Sequence, residues 1–357
     1  MRVLIAGGGT GGHVIPALAI AHELHARYSA EILFVGTDRG IETRLVPQSG
    51  FGLMLIKVGA LKNVSLMTRL RTLLDLPLAI LHSRKIMRAF DPNVVVGVGG
   101  YASGPAMAAA ILGGVPTLAF EANYVPGFAN KMVGRWVSAA AVHFEQTKRY
   151  FRNAKVVGVP VRPEFFNMSR PETNHPPTLL VFGGSQGAHA INQAVTEAIP
   201  EVLRRIPGLQ VIHQTGERDY NDVQAAYTRA GASAEVSAFI DKMPQAFARA
   251  DLLICRSGAS TIAEIAAAGK PAIFIPFPRA ADDHQRRNAE AIAATGAAVL
   301  MAESELSPEK LAQTMIELLT DPARLQEMSE KAKALGRQDA AGQVAQMTAD
   351  LAARGKK

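Results

Sequence analysis

The sequence predicts an α/β protein of two domains, each built on a parallel sheet with helices on both faces. Three observations carry this. The chain has 357 residues, and 48% hydrophobic against 19% charged residues is apolar material enough for two cores. Short apolar runs alternate with helical patterns, and the alternation restarts half-way along. Three of the runs end in glycine-rich turns that open into helices. Such βαβα alternation implies parallel strands joined by right-handed crossovers.

In the first half, strands are predicted at 3–6, 32–35, 53–57, 94–96, 117–120 and 137–142. In the second they are predicted at 178–182, 209–213, 235–237, 252–255, 272–275 and 298–301. Helical patterns lie between them, for example over 188–205 and 260–268. The chain after about residue 307 reads as Ala-rich helix. The join falls near Val157-Gly158-Val159-Pro160-Val161-Arg162-Pro163, a Pro/Gly-rich linker between two complete patterns. Residues 168–177 are polar and proline-rich and read as a surface loop.

Bulk properties narrow the function class. The single cysteine, Cys255, forms no internal disulfide, suits a reducing compartment and sits on an apolar run, so it reads as a buried small hydrophobe. The N-terminus has no secretory pattern. Residues 92–120 carry no charge, but Pro105, Pro116 and six glycines interrupt them. Strand, loop, helix and strand is the better reading, since a membrane span needs ~20 continuous apolar residues. The expectation is a soluble or peripheral protein. The net charge of +7 favours phosphorylated substrates or anionic lipid. Nucleic acid is not expected, because basic–aromatic interleaving and known binding modules are lacking.

The most informative stretch is Ile5-Ala6-Gly7-Gly8-Gly9-Thr10-Gly11-Gly12-His13-Val14-Ile15-Pro16. Glycine lets backbone approach a ligand closely and adopt positive φ. A helix beginning near Val14 offers free N–H groups and a positive dipole end to an anion. His13 at that mouth can act as acid or base near neutral pH. Gly97-Val98-Gly99-Gly100-Tyr101-Ala102-Ser103-Gly104-Pro105 and Gly183-Gly184-Ser185-Gln186-Gly187-Ala188 repeat the device. Three such turns point to several phosphate-sized sites, and ligands of open α/β sheets bind beyond the carboxyl ends of strands.

Two further constellations carry chemistry. Arg256-Ser257-Gly258-Ala259-Ser260-Thr261-Ile262-Ala263-Glu264 places hydroxyls and a carboxylate at a helix start. Ser257 or Ser260 can cap that helix, or Glu264 can accept two sugar hydroxyls; both readings stay open. Asp282-Asp283-His284-Gln285-Arg286-Arg287-Asn288 is a polar helix entry that puts Gln285 and Asn288 on one face. It lacks metal-ligand spacing.

Together Gly8–His13, Gly99–Pro105, Glu121-Ala122-Asn123, Gly183–Gly187, Arg256–Ala259 and Asp283-His284-Gln285 closely resemble one family. It comprises the bacterial transferases that add N-acetylglucosamine to undecaprenyl-pyrophosphoryl-N-acetylmuramoyl-pentapeptide, turning lipid I into lipid II for peptidoglycan synthesis. The matches fall in the same order over nearly the whole chain. Where the family has Glu-Gln-Asn, this chain has Glu121-Ala122-Asn123.

The resemblance implies a glycosyltransferase B fold, two doubly wound Rossmann-like domains facing a cleft. An acceptor and membrane-facing domain would span 1–159, a donor domain 160–337, and a C-terminal helix at about 338–357 would pack back on the first. It implies a UDP-N-acetylglucosamine donor and an inverting hexosyl transfer to the C4 hydroxyl of the N-acetylmuramoyl unit. Thr10, Gly11 and Gly12 would lie near the transferred sugar, Asn123 on its hydroxyls, and Arg162 and Ser185 at the diphosphate. The backbone of Ile240 would meet uracil. Ala259, Ser260, Thr261, Ile262, Ala263 and Glu264 would hold phosphate and ribose, with Glu264 on the ribose hydroxyls, and Gln285 would touch the sugar. Gly99, Gly100, Tyr101 and Ser103 would face the acceptor. His13 is the expected base and Glu121 the runner-up, or an acceptor-positioning carboxylate.

No cofactor or essential divalent metal is expected, since an Asp-x-Asp motif is lacking and helix N–H groups, Ser185 and Arg162 can stabilise the departing diphosphate. The expected partners are lipid I, an anionic membrane surface and cell-wall synthesis proteins, at the cytoplasmic face of the inner membrane. Residues 61–90 mix Leu, Ile and Met with Lys62, Arg69, Arg71, Arg84, Lys85 and Arg88, a composition suited to anionic lipid. Three other readings remain: a UDP-sugar epimerase, a nicotinamide-dependent dehydrogenase using Gly7, Gly9, Gly12 and Asp38, and a nucleotide-sugar binding module.

Overall fold

The computed structural model describes residues 1–38, 40–58, 66–168 and 175–355 and, of these, all side chains but those of 66–74 and 281. The chain divides into two compact units, Met1–Pro160 with Asp339–Lys357, and Val161–Gln338.

Unit 1 alternates strand and helix: β1 (Arg2–Gly7), α1 (Gly11–Tyr28), β2 (Glu31–Gly36), α2 (Glu42–Gln48), β3 (Gly52–Leu55), α3 (Leu66–Phe90), β4 (Val94–Gly99), α4 (Ser103–Leu112), β5 (Thr117–Glu121), α5 (Phe128–Val133), β6 (Ala139–Val142) and β7 (Ala154–Val156). Its strands pair in the parallel order β3-β2-β1-β4-β5-β6-β7. The buried apolar runs of β1 and β4 are what a sheet covered on both faces requires. The strand order reverses at the β1/β4 junction, the place where ligands of such sheets bind.

Unit 2 repeats the plan with β8 (Thr178–Phe182), α6 (His189–Arg205), β9 (Gln210–Gln214), α7 (Tyr220–Ala230), β10 (Ser233–Ser237), α8 (Met243–Arg249), β11 (Leu252–Cys255), α9 (Ala259–Ala268), β12 (Ala272–Phe274), α10 (His284–Ala293), β13 (Ala298–Leu300), α11 (Pro308–Leu319) and α12 (Pro322–Ala334). The parallel order is β10-β9-β8-β11-β12-β13, with its switch between β8 and β11. Cys255 is buried at the end of β11.

The chain then returns to unit 1 through α13 (Ala340–Arg354), which packs on α1. Val344, Ala345, Leu351 and Ala352 of α13 are buried, and Tyr28 donates to the Gln346 side chain at 2.7 Å.

The structure departs from the sequence reading at several ends. α1 starts at Gly11 rather than near Val14, so His13 lies in its first turn. The strand expected at 137–142 starts at Ala139, because the amides of Trp136 and Val137 both return to Val133 and finish α5 as a turn. β7, three residues with only partial burial, has no apolar run to announce it. Of the loop expected at 168–177, residues 169–174 lie outside the described residues.

Val344→Ala is expected to cost about 2 kcal/mol by removing buried methyl groups from the packing of α13 on unit 1. Denaturant unfolding followed by hydrogen exchange checks it: protection should fall in 1–160 and stay unchanged in 161–338.

Candidate active site

In unit 1 the two glycine turns at the switch touch backbone to backbone. Gly100 has φ +83°, and a Cβ there would overlap the Gly8 carbonyl oxygen. A buried carboxylate fixes the first turn. Glu42, 1% exposed at the start of α2, accepts from the Gly9 amide at 2.7 Å and from the amide and hydroxyl of Thr37 at 3.0 Å each. Gly8, Gly36 and Gly40 all crowd this side chain so closely that any Cβ would strike it. The Gly9 amide, which a dinucleotide phosphate would need, is thus held by the protein's own carboxylate. That weakens the dehydrogenase reading.

His13 sits part-buried beside this turn. Its Nδ1 is 3.3 Å from the Thr10 hydroxyl, and its ring lies against Gly99. Gly99 also adjoins the side-chain amide of Asn130, so the fold brings His13, Gly99 and the Glu121 cluster together. Glu121, 4% exposed, accepts four hydrogen bonds. Oε1 receives the backbone and side-chain amides of Asn123, at 3.0 and 3.1 Å. Oε2 receives the Gly127 amide and Asn130 Nδ2, both at 3.0 Å. These contacts occupy the acceptor capacity of a carboxylate. Glu121 therefore holds the 121–130 loop in shape and presents Asn123. Thr147 fixes the same loop by donating to the carbonyls of Asn123 and Tyr124.

Among the expected acceptor contacts, Gly99 and Gly100 line the turn and Tyr101 is half exposed. Ser103 is fully buried at the first turn of α4.

In unit 2 the sites also gather at the switch. Ser185 is exposed on the β8–α6 turn, whose Gly187 (φ +73°) has no room for a Cβ against the Thr215 carbonyl. The start of α9 presents backbone N–H groups with the side chains of Ser260, Thr261 and Glu264, while Ala259, Ile262 and Ala263 face the core. The α9 N-cap is Gly258, without a side-chain cap. Ser257 instead donates to the Gln285 carbonyl at 2.8 Å, tying α9 to α10, so neither serine caps the helix. The Gln285 side-chain oxygen accepts from the Phe277 amide at 3.0 Å. Asn288 is buried and donates to the Ser257 carbonyl at 3.4 Å.

Asp282 and Asp283 both adopt left-handed φ ahead of Gln285, a conformation Asp takes more readily than most L-residues. Arg256 anchors the same loop. It pairs with Glu303 at 2.6 Å and donates to the carbonyls of Ile275 and Pro276.

Glu264 differs from the other site carboxylates. It makes no hydrogen bond among the described residues, and burial pushes its carboxyl up to about 7, with the Arg162 charge pulling the other way. A perturbed carboxylate at a sheet switch is a functional-site candidate. Arg162 is exposed next to the unit boundary and stacks over Phe165 at 5.1 Å. Groups of acidic, His and Cys side chains able to hold a metal ion are lacking among the described residues. A groove of about 610 Å³ between α6 and α7 contains none of the expected site residues.

Sequence reasoning missed Glu42, Asn130, Thr147 and Gln214. Glu42 bonds Gly9 from 33 positions away and Gln214 bonds Gly184 from 30, so short-range patterns could not reveal them.

Residues 3–142 match the family model described as the glycosyltransferase family 28 N-terminal domain, and residues 178–344 match the family 28 C-terminal domain. A Myxococcus xanthus protein is 48% identical, over 98% of this chain and 93% of its own length. It is named UDP-N-acetylglucosamine–N-acetylmuramyl-(pentapeptide) pyrophosphoryl-undecaprenol N-acetylglucosamine transferase.

The chain belongs to glycosyltransferase family 28.

An Anaeromyxobacter relative of the same name is 46% identical over 99% of this chain and 94% of its own. The crystal structure of Acinetobacter baumannii MurG is similar at a TM-score of 0.83 and 32% identity, covering 98% of this chain and 99% of that one. Both halves of this family 28 enzyme therefore carry the glycosyltransferase architecture expected from the sequence.

Because folding raises the Glu264 carboxyl, the fold favours its protonated form. That stabilisation is complete below about pH 4 and is lost as the pH rises through about 7. Glu264→Gln should match the parent at pH 4 and exceed its stability at pH 8 by on the order of 1–3 kcal/mol, read by denaturant unfolding at both pH values. A variant weaker than the parent at pH 8 would show that favourable contacts hold the ionised carboxylate.

Proposed function

We propose that this chain transfers N-acetylglucosamine from UDP-N-acetylglucosamine to the C4 hydroxyl of the N-acetylmuramoyl unit of lipid I, with inversion, giving lipid II. The observation that carries the reading is 48% identity over 98% of the chain to the Myxococcus xanthus transferase.

In this mechanism unit 2 holds the donor. Ser185, Arg162 and the N–H groups at the start of α9 meet the diphosphate, Glu264 accepts from the ribose, Ile240 meets uracil and Gln285 meets the sugar. Unit 1 holds the acceptor beside Gly99, Gly100 and Tyr101. The C4 oxygen attacks C1, the bond from C1 to the diphosphate oxygen breaks, and His13 takes the hydroxyl proton. UDP leaves with the electron pair. Glu121 has its lone pairs committed, so it positions Asn123 and Asn130 rather than taking the proton. Charge on the leaving UDP is met by Arg162, Ser185 and helix N–H groups, which requires no divalent metal.

We also place the enzyme peripherally at the cytoplasmic face of the inner membrane, where lipid I would be met, with cell-wall synthesis proteins as further partners. Among the described residues no helix is long and apolar enough to cross a membrane. On α3, Leu78 and Leu81 are 65% and 60% exposed, and Arg84, Lys85 and Arg88 are exposed on the same helix. Exposed leucines beside cations suit a membrane surface. Lys62 and the side chains of Arg69 and Arg71 lie outside the described residues.

Incubation with radiolabelled UDP-N-acetylglucosamine and a lipid I analogue tests the reading, with labelled lipid II and free UDP as the expected products. Epimerised or free sugar would support the epimerase reading, and tight UDP binding without turnover the binding module. His13→Ala should lower kcat by roughly 10²–10⁴-fold with UDP affinity nearly unchanged. Loss of UDP binding as its main defect would end the assignment of His13 as base. Replacing Arg84, Lys85 and Arg88 with Glu should weaken binding to anionic vesicles, by roughly 1 kcal/mol per residue, and spare turnover of a short-chain soluble acceptor. Vesicle binding equal to the parent's would remove α3 from the membrane surface.

A further inference from the structure

Gln214 ends β9, between β8 and β10, and is 2% exposed. Its amide closes two bonds in opposite directions. Nε2 donates to the Gly184 carbonyl at 2.9 Å, and Oε1 accepts from the Ile240 amide at 2.9 Å. The amide orientation is fixed by its partners, since a carbonyl can only accept and an N–H can only donate. One side chain thus spans from the glycine turn after β8 to the segment after β10.

The surrounding backbone holds Gln214 in place. Its neighbour His213 is fully buried and neutral, its pKa driven down to about 3 by burial. His213 Nε2 donates to the Asn192 side-chain oxygen at 3.0 Å, and Nδ1 accepts from the Tyr227 hydroxyl at 2.7 Å. The Asn192 amide in turn donates to the Thr215 carbonyl at 2.9 Å. The residues on both sides of Gln214 are therefore locked to α6 and α7. The Thr215-Gly216 backbone also abuts Gln186 and Gly187 of the glycine turn.

We propose that Gln214 is a positioning and base-selecting residue for the nucleoside diphosphate. The proposal rests on the preceding reading of Ile240 as the uracil contact and Ser185 as a diphosphate contact. Gln214 sets the spacing between these two subsites. It also uses the Ile240 amide proton, so the backbone of Ile240 offers the ligand its carbonyl oxygen. A carbonyl facing N3 of a pyrimidine accepts the N3–H of uracil. Cytosine presents a lone pair at N3 and is repelled. Gln214 thereby converts a backbone position with both a donor and an acceptor into an acceptor alone.

Two variants of the full chain test this, with UDP and CDP binding measured by calorimetry and transfer by steady-state kinetics. Gln214→Met keeps the shape and removes both bonds. Expected are a roughly tenfold rise in the Kd for UDP and the donor KM, a narrowed preference for UDP over CDP, and kcat and acceptor KM within about twofold of the parent. Gln214→Glu at pH 8 keeps the acceptor for Ile240 and lacks the donor for Gly184. It should bind UDP more weakly yet retain the parental preference over CDP.

Parental UDP affinity in either variant overturns the proposal. So does a fall in UDP and CDP affinity by the same factor in Gln214→Met, which would mark a purely structural side chain. If Gln214→Met fails to fold, Gln214→Glu decides: parental UDP affinity, or a preference for UDP over CDP that departs from the parent's, overturns the proposal. A parent chain that does not bind UDP overturns the donor reading itself, a result separable from any effect of Gln214.

Discussion

The organisation of both units depends on backbone meeting backbone at the sheet switch points. In unit 1 the turn after β1 lies against the turn after β4, and Gly100 occupies space a side chain would contest with Gly8. In unit 2 the turn after β8 lies against Thr215 and Gly216 at the end of β9. Such contact brings polar groups close together, and each must find a partner. Buried side chains, Glu42 in unit 1 and Gln214 in unit 2, meet part of that demand.

Three buried or half-buried carboxylates divide the work. Glu42 and Glu121 receive three and four hydrogen bonds and hold loops in shape. Glu264 receives none among the described residues and carries the raised carboxyl value. A carboxylate with all its partners belongs to the fold, whereas a half-buried one without hydrogen bonds costs stability in its ionised form.

Much of the architecture was legible in the sequence because parallel strands buried on both faces read as unbroken apolar runs. β1, β4, β8 and β11 announce themselves in this way. β7 has no such run and went unseen. The glycine turns were legible for the same local reason, and they located both switches. Contacts between distant segments were not legible. Ser257 reads locally as a capping residue, but its hydroxyl spans to Gln285, 28 positions on. Glu121 reads equally well as a base or as a positioning group until its four donors are in place.

The return of the chain to unit 1 through α13 bears on how the protein is made. Residues 161–338 form a unit whose sequence is contiguous, whereas unit 1 is written in two pieces at opposite ends of the chain. During synthesis from the N-terminus, unit 2 has all its residues while the apolar face of α1 still lacks α13. Domains that emerge whole can fold as they appear, but one missing its last helix exposes apolar surface until α13 leaves the ribosome. The unit translated first is therefore the last to be completed, and a chain that stops short of Ala340 leaves the first 160 residues without a wall of their core.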